Sequence, residues 1–156
     1  MKALVVYDSV FGNTEKVAQA MGEALSARAD VETRRVADTK PADLTGVDVL
    51  VVGSPTRAFS PTPDTKKLLN AIPAKGLQGT KVAAFDTRIS VEKTNNAFLS
   101  FMVSIFGYAA KPIAKRLTRK GGTEVMAPEG FFVEGTEGPL TEGELERAKA
   151  WVTQIV

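Results

Sequence analysis

Cysteine and histidine are both absent from this chain. Without cysteine there is no disulfide framework, no thiol nucleophile and no thiolate-held metal or iron–sulfur cluster. Without histidine there is no imidazole acid–base chemistry and no Ser-His-Asp triad, and the commonest transition-metal ligand is missing. A large charge excess is lacking too: 20 Lys and Arg stand against 18 Asp and Glu, a formal net charge of +2. The charge is unevenly spread. Lys111, Lys115, Arg116, Arg119 and Lys120 follow one another with no acid between them, and seven glutamates run from Glu124 to Glu146 with no base. Such blocks read as solvated faces of separate elements. No recognised motif or aromatic-interleaved basic patch accompanies them, so no nucleic-acid partner is expected. Long apolar runs are missing as well. Ala3–Tyr7 is too short for a signal peptide and ends at Asp8. The apolar stretch Ala97–Ala110 is 14 residues long, short of the roughly 20 that span a bilayer. The expectation is a soluble, cytoplasmic protein with no transmembrane segment.

What is present is an alternation. With 156 residues the chain can bury a core unaided, and one domain over residues 1–156 is expected. Ala3-Leu-Val-Val-Tyr7 and Val47-Asp-Val-Leu-Val-Val-Gly53 read as buried strands, and Thr80–Phe85 as another. Val31–Val36 is a short strand loaded with Glu32, Arg34 and Arg35, which suits a sheet edge. Thr123–Met126 is a fifth strand, with a resumption at Phe131–Val133 after Pro128. Helix spacing marks Thr14–Ala27, where Val17, Met21, Ala24 and Leu25 share a face. A helix over Pro63–Ala71 is expected to be capped by Thr62. Thr94–Phe106 is a further helix, broken at Gly107, and Pro112 is an early residue of another that runs to Arg119. Thr141-Glu-Gly-Glu144 reads as a capping box for a last helix whose apolar side is Leu145, Ala148, Trp151, Val152 and Ile155. Near-continuous apolar strands alternating with helices argue for an α/β fold, a parallel sheet covered on both faces.

Ligands of open α/β sheets sit beyond the carboxyl ends of the strands. Three segments leave those ends: Ser9–Thr14, Ser54–Pro63 and Asp86–Ser90. The first has hydroxyls, an amide, a glycine that admits close backbone approach, and the start of a helix, whose free N–H groups favour an anion. No Lys or Arg lies between Val5 and Glu15, so a phosphate there is held by hydrogen bonds and not by a salt bridge. The loop alone does not separate an anion site from an ordinary strand-to-helix turn. Residue types exclude other phosphate readers. No lysine follows Gly12, as a Walker A loop requires, and no Gly-x-Gly-x-x-Gly occurs here. Gly53-Ser54 stand where a receiver domain needs aspartate.

Ser9-Val-Phe-Gly-Asn-Thr14, followed by Glu15-Lys-Val-Ala18, resembles the phosphate loop of flavodoxins, Ser/Thr-x-Thr/Tyr-Gly-Asn-Thr-Glu. Gly53-Ser-Pro-Thr56 resembles the second flavin loop of flavodoxin-like domains, and Phe85-Asp-Thr-Arg88 occupies the place of the third. The resemblance extends over the chain in element order and length, and matches the short-chain form. It implies a doubly wound, open five-stranded parallel sheet of order 2-1-3-4-5 and noncovalent FMN. It also implies that Ser9, Val10, Phe11, Gly12, Asn13 and Thr14 wrap the phosphate. Ser54, Pro55, Thr56, Arg57, Ala58 and Phe59 would then approach the ribityl chain and one side of the ring. Asp86, Thr87 and Arg88 would line the other side. Tyr7 and Trp151 lie away from these loops. No metal site and no catalytic side chain is expected.

The chain departs from the flavodoxin pattern in three ways. Phe11 replaces a hydroxyl residue, no tyrosine stands in the third loop to stack on the ring, and the chain is not acidic. If Arg57 and Arg88 both face the flavin, their charge favours its reduced anion and raises its potential.

The expected function is FMN-dependent electron transfer to redox partner proteins. One alternative is an FMN-dependent oxidoreductase of quinone or protoporphyrinogen type. Another is a flavin-free flavodoxin-fold interaction module. The helix Ala97–Phe106 is apolar nearly all round, and burial against the sheet is its expected fate. The alternative is docking to a partner protein, a membrane surface, or a second copy in a homodimer, aided by the basic segment Lys111–Lys120.

Overall fold

The computed structural model describes residues 1–90 and 96–156. Strands β1 (Lys2–Tyr7), β2 (Asp30–Arg35), β3 (Val49–Pro55) and β4 (Lys81–Ile89) run parallel. The short β5 (Thr123–Glu124) and β6 (Glu129–Val133) both pair parallel to β4, at its start and its end. They share one edge position, interrupted around Pro128, so the order β2-β1-β3-β4-β5 is the doubly wound order expected. Charged β2 lies at the opposite edge.

Helices α1 (Asn13–Leu25) and α5 (Glu144–Val152) cover one face of the sheet, while α2 (Pro63–Asn70) and α4 (Ala110–Arg119) cover the other. Alternation along each strand feeds two cores. Val5, Val51 and Phe85 pack with Val17, Met21 and Trp151. Leu4, Val6 and Val52 pack with Leu68, Ile113 and Leu117. In the first core Phe131 meets both Phe85 and Trp151 edge to face, with centroids 6.1 Å apart in each pair, a favoured aromatic geometry. Gly53 is required by this packing, because a Cβ there would overlap the Phe85 ring.

Three expectations are corrected. Strand β4 does not stop at Phe85 but runs to Ile89, because β3 and β6 both continue beside it and supply partners. The capping box at Thr141–Glu144 does not form. Gly143, at φ 88°, is the residue before α5, and no side chain caps the helix. The Glu144 carboxylate instead accepts from Phe132 N at 2.8 Å and pairs with Arg147, and Leu145 is left 38% exposed. The helix α3 (Ala97–Phe106) is not buried against the sheet: none of its described side chains is buried. Thr94 and Asn95, expected in this helix, lie outside the described residues. Thr62 does cap α2, accepting from Thr65 N.

By length and composition Ala97–Arg119 is apolar enough to cross a membrane. The backbone breaks it at Gly107, with φ 73° and ψ −153°, into two helices of 10 residues each. Neither is long enough to span a bilayer alone. The inner side of α4, with Ile113, Ala114 and Leu117, is already committed to the core.

Candidate cofactor site

Because β1, β3, β4 and β6 are parallel, the segments leaving them converge on one edge of the sheet. They enclose an open cleft of about 320 Å³. Ser9, Val10, Phe11, Asn13 and Thr14 line it from the first segment, Pro55, Thr56, Arg57 and Ala58 from the second, and Thr87 and Arg88 from the third.

The first segment is held by its own polar groups. Gly12 N donates to Ser9 Oγ at 3.0 Å, and Gly12 adopts φ 92°, with open space where a Cβ would stand. Helix α1 then begins with no side-chain cap, so its first-turn N–H groups remain available to an anion. Thr14 and Thr87 share a hydrogen bond of 2.8 Å between hydroxyls, which ties the first segment to the third. Asn13 Nδ2 donates to Glu137 O at 3.1 Å, which ties it to the segment after β6.

A cation does approach this segment, from a place that local sequence did not indicate. Arg35, at the end of β2, donates to Ser9 O at 3.0 Å. It is enclosed by acids, with Glu15 at 3.5 Å and Asp8 at 3.8 Å. Its guanidinium lies over the Tyr7 ring, 5.3 Å from the centroid. Tyr7 OH donates to Glu15, and burial together with that hydrogen bond pushes the phenol above its ordinary pKa. Arg35 is therefore already compensated and adds little net positive charge to the loop.

In the second segment Ser54 is fully buried and turned away from the cleft. Its Oγ accepts from Thr62 N at 3.0 Å, and Thr62 Oγ1 donates to Asp8 Oδ2 at 2.6 Å, so the second segment is fastened to the end of β1. Arg57 and Ser60 exchange backbone hydrogen bonds of 2.8 and 3.0 Å around a tight turn. The two residues inside it, Ala58 at φ 49° and Phe59 at φ 64°, occupy the left-handed region without being glycine, a strained arrangement. Phe59 does not line the main cleft. It lines a smaller one behind the turn with Leu99, Val103 and Tyr108. Phe11 is the aromatic residue that lines the main cleft. It is 45% exposed, and the Arg57 guanidinium lies 5.9 Å from its ring centroid.

In the third segment the Asp86 side chain is fully buried and does not line the cleft. It accepts from Arg88 Nε at 2.6 Å, Arg88 Nη2 at 2.7 Å and Ala110 N at 2.8 Å. Burial is the largest influence on it and pushes the carboxyl above its ordinary pKa, against the lowering pull of Arg88. The other side of the Arg88 guanidinium stacks on Tyr108, 3.7 Å from the ring centroid. Burial likewise raises the Tyr108 phenol. Tyr108 is thus a companion of Arg88.

The cleft has lining residues that sequence reasoning missed: Ile89, Val133 and Thr136. Ile89 lies inside the expected segment Asp86–Ser90 but escaped because the resemblance extends only to Arg88. Val133 and Thr136 belong to a fourth segment, and the run Gly135-Thr-Glu-Gly-Pro139 after an apolar strand was the available signal. Tyr7 and Trp151 stand outside the cleft, as expected.

Comparison with known proteins places this architecture. The flavodoxin family model matches residues 5–151. A flavodoxin of Maridesulfovibrio salexigens is 35% identical over 89 residues, 54% of this chain and 61% of that protein. The matched part therefore spans less than two thirds of that relative. The structure of a flavodoxin from the domain Archaea superposes with a TM-score of 0.76 at 26% identity, covering 99% of this chain and 96% of the other. Oxidised flavodoxin 1 from Bacillus cereus gives 0.79 at 17% identity, covering 99% and 97%, a likeness of fold.

Proposed function

The chain belongs to the flavodoxin family, whose cofactor is FMN, and we propose that the cleft at its sheet edge holds FMN noncovalently for electron transfer to redox partner proteins. The observation that supports this most strongly is the convergence of four segments around an uncapped helix N-terminus. The donor set fits the cofactor. Hydroxyls of Ser9 and Thr14, the Asn13 amide and the α1 N–H groups suit a phosphate. Pro55, Phe11, Ala58 and Ile89 offer apolar walls to a flat ring, and Thr87 a hydroxyl. The flavin supplies the redox chemistry when bound.

The chain's own residues divide the remaining work. The α1 N-terminus and the first-segment hydroxyls bind and orient the phosphate. Thr56 N donates to Thr87 O at 3.0 Å, which continues the pairing of β3 with β4 and holds the second and third segments side by side. Phe11 and Val10, 45% and 51% exposed, form a rim where a partner protein can approach. Among the described residues, no carboxylate lines the cleft, and the chain has no thiol or imidazole. That lining suits an electron carrier, which needs no proton-transferring side chain of its own. The setting we propose is the cytoplasm.

Titration of the purified chain with FMN, followed by quenching of flavin fluorescence, tests this reading. Stoichiometric uptake is expected. A colourless protein that takes up no added FMN would contradict it and favour an interaction module. Steady-state NAD(P)H oxidation with quinone acceptors then separates carrier from enzyme, and a carrier shows negligible turnover alone.

A further inference from the structure

Helix α3 is uncharged, and every one of its described side chains is exposed or half-exposed. Phe98, Phe101 and Ile105 are 71%, 60% and 57% exposed. Their spacing of three and four residues places them on one side of the helix. Several of its polar groups are occupied locally. Asn96 Oδ1 accepts from Leu99 N, Ser104 Oγ donates to Phe101 O, and Gly107 N donates to Val103 O. Leu99 and Val103 line the small cleft with Ala58, Phe59, Ile89 and Tyr108, which leaves Phe98, Phe101 and Ile105 without a covering element among the described residues. After a three-residue break, α4 turns Lys111, Lys115 and Arg119 to solvent. None of the three has an acidic partner among the described residues.

We propose that α3 and the exposed side of α4 form a docking face for an anionic lipid surface. Phe98, Phe101 and Ile105 enter the boundary between headgroups and acyl chains, and Lys111, Lys115 and Arg119 meet lipid phosphates. Apolar aromatic anchors beside uncompensated Lys and Arg are the chemistry of interfacial helices. Two other occupants fit less well. Electron-transfer contacts between proteins are small and wet, and the Phe98, Phe101 and Ile105 side chains that form this face carry no donor or acceptor. A symmetric contact with a second copy through this face would offer Lys111, Lys115 and Arg119 no acidic partner, since α3 and α4 carry no acid. The inference goes beyond the electron-carrier reading and does not depend on FMN being bound.

Co-sedimentation of the full chain with vesicles tests it, comparing phosphatidylcholine alone with phosphatidylcholine rich in phosphatidylglycerol. Binding to the anionic vesicles, absence from the neutral ones and weakening by salt are expected. The triple variant Phe98→Ser, Phe101→Ser, Ile105→Ser is expected to lower the partition coefficient by about tenfold or more. Lys111→Glu with Lys115→Glu should also lower it. Circular dichroism and FMN fluorescence quenching, read on each variant, report folding and the cofactor site separately from lipid binding. Failure of the unmodified chain to bind anionic vesicles would overturn the proposal. So would binding that neither variant reduces, or a dimer in sedimentation equilibrium that the triple variant dissolves.

Discussion

The ends of β1 and β4 face each other across the cleft and treat charge in opposite ways. At the end of β1, Ser9–Thr14 carries no cation of its own, and Arg35, which reaches in from β2, is matched by Glu15 and Asp8. What remains for a ligand is a set of neutral donors at the start of α1. At the end of β4, a full carboxylate and a full guanidinium are present, and they satisfy each other: Asp86 is buried beneath Arg88, which is capped by Tyr108. Both routes arrive at a wall with little net charge. One begins from partial charges and the other cancels whole ones. Arg57, exposed on the second segment, is the cleft cation with no acidic partner among the described residues. Of the two arginines expected to raise the flavin potential, Arg57 is therefore expected to act almost alone, because Asp86 offsets Arg88.

The largest effect is expected from breaking the charged wall. Arg88→Met leaves Asp86 buried without its counter-charge and should cost about 3–5 kcal/mol at neutral pH, read by urea denaturation. The sign of its pH dependence follows from burial. Asp86 already titrates above its ordinary value, and loss of Arg88 raises it further. A raised folded pKa gives a contribution that is whole below the unfolded value, about 3.9, and lost as pH rises through the folded one. The variant should therefore be least impaired near pH 4, and an equal loss at all pH values would contradict this account.

The neutral wall is broken by Thr14→Val, which removes a hydroxyl from the proposed phosphate cradle and leaves Thr87 without its partner. FMN affinity should fall by about tenfold or more, the weight of one hydrogen bond to a charged group, as measured by fluorescence titration. A change below twofold would remove Thr14 from the cradle.

Smaller shifts separate the two arginines. Arg57→Ala should lower the flavin potential by roughly 20–40 mV, as expected for one exposed charge nearby. Arg88→Ala, whose charge Asp86 offsets, should shift it less. Redox titration giving the reverse order would show that Asp86 does not offset Arg88. The smallest effect concerns the turn between the walls. Ala58→Gly removes a left-handed alanine and should raise stability by about 0.5–1 kcal/mol, seen as a higher urea midpoint with an unchanged slope.

Much of this was legible in the chain, and the rest failed for physical reasons. Apolar strands and helix spacing marked the sheet and its order, because burial on both faces leaves runs such as Val49–Val52. The loop Ser9–Thr14 was legible because a strand end, a glycine and a helix start are local features. Arg35 was not, since it is 26 residues from Ser9 and only the parallel register of β2 on β1 brings it there. Asp86 gave no sign of burial in the sequence. Its pairing requires β4 to extend, which depends on β3 and β6 beside it. The exposure of α3 ran against its composition, since an apolar helix is usually buried. Composition reports how much apolar surface exists, and not whether this chain alone supplies its cover.

The proposed site would bind phosphate through neutral donors at the start of α1. The most direct measurement is the FMN dissociation constant across ionic strength. Screening weakens exposed ion pairs and leaves short hydrogen bonds in a partly enclosed loop nearly untouched. The affinity is expected to change little between low and high salt. A steep loss of affinity with added salt would show that cations hold the phosphate and would contradict binding through neutral donors.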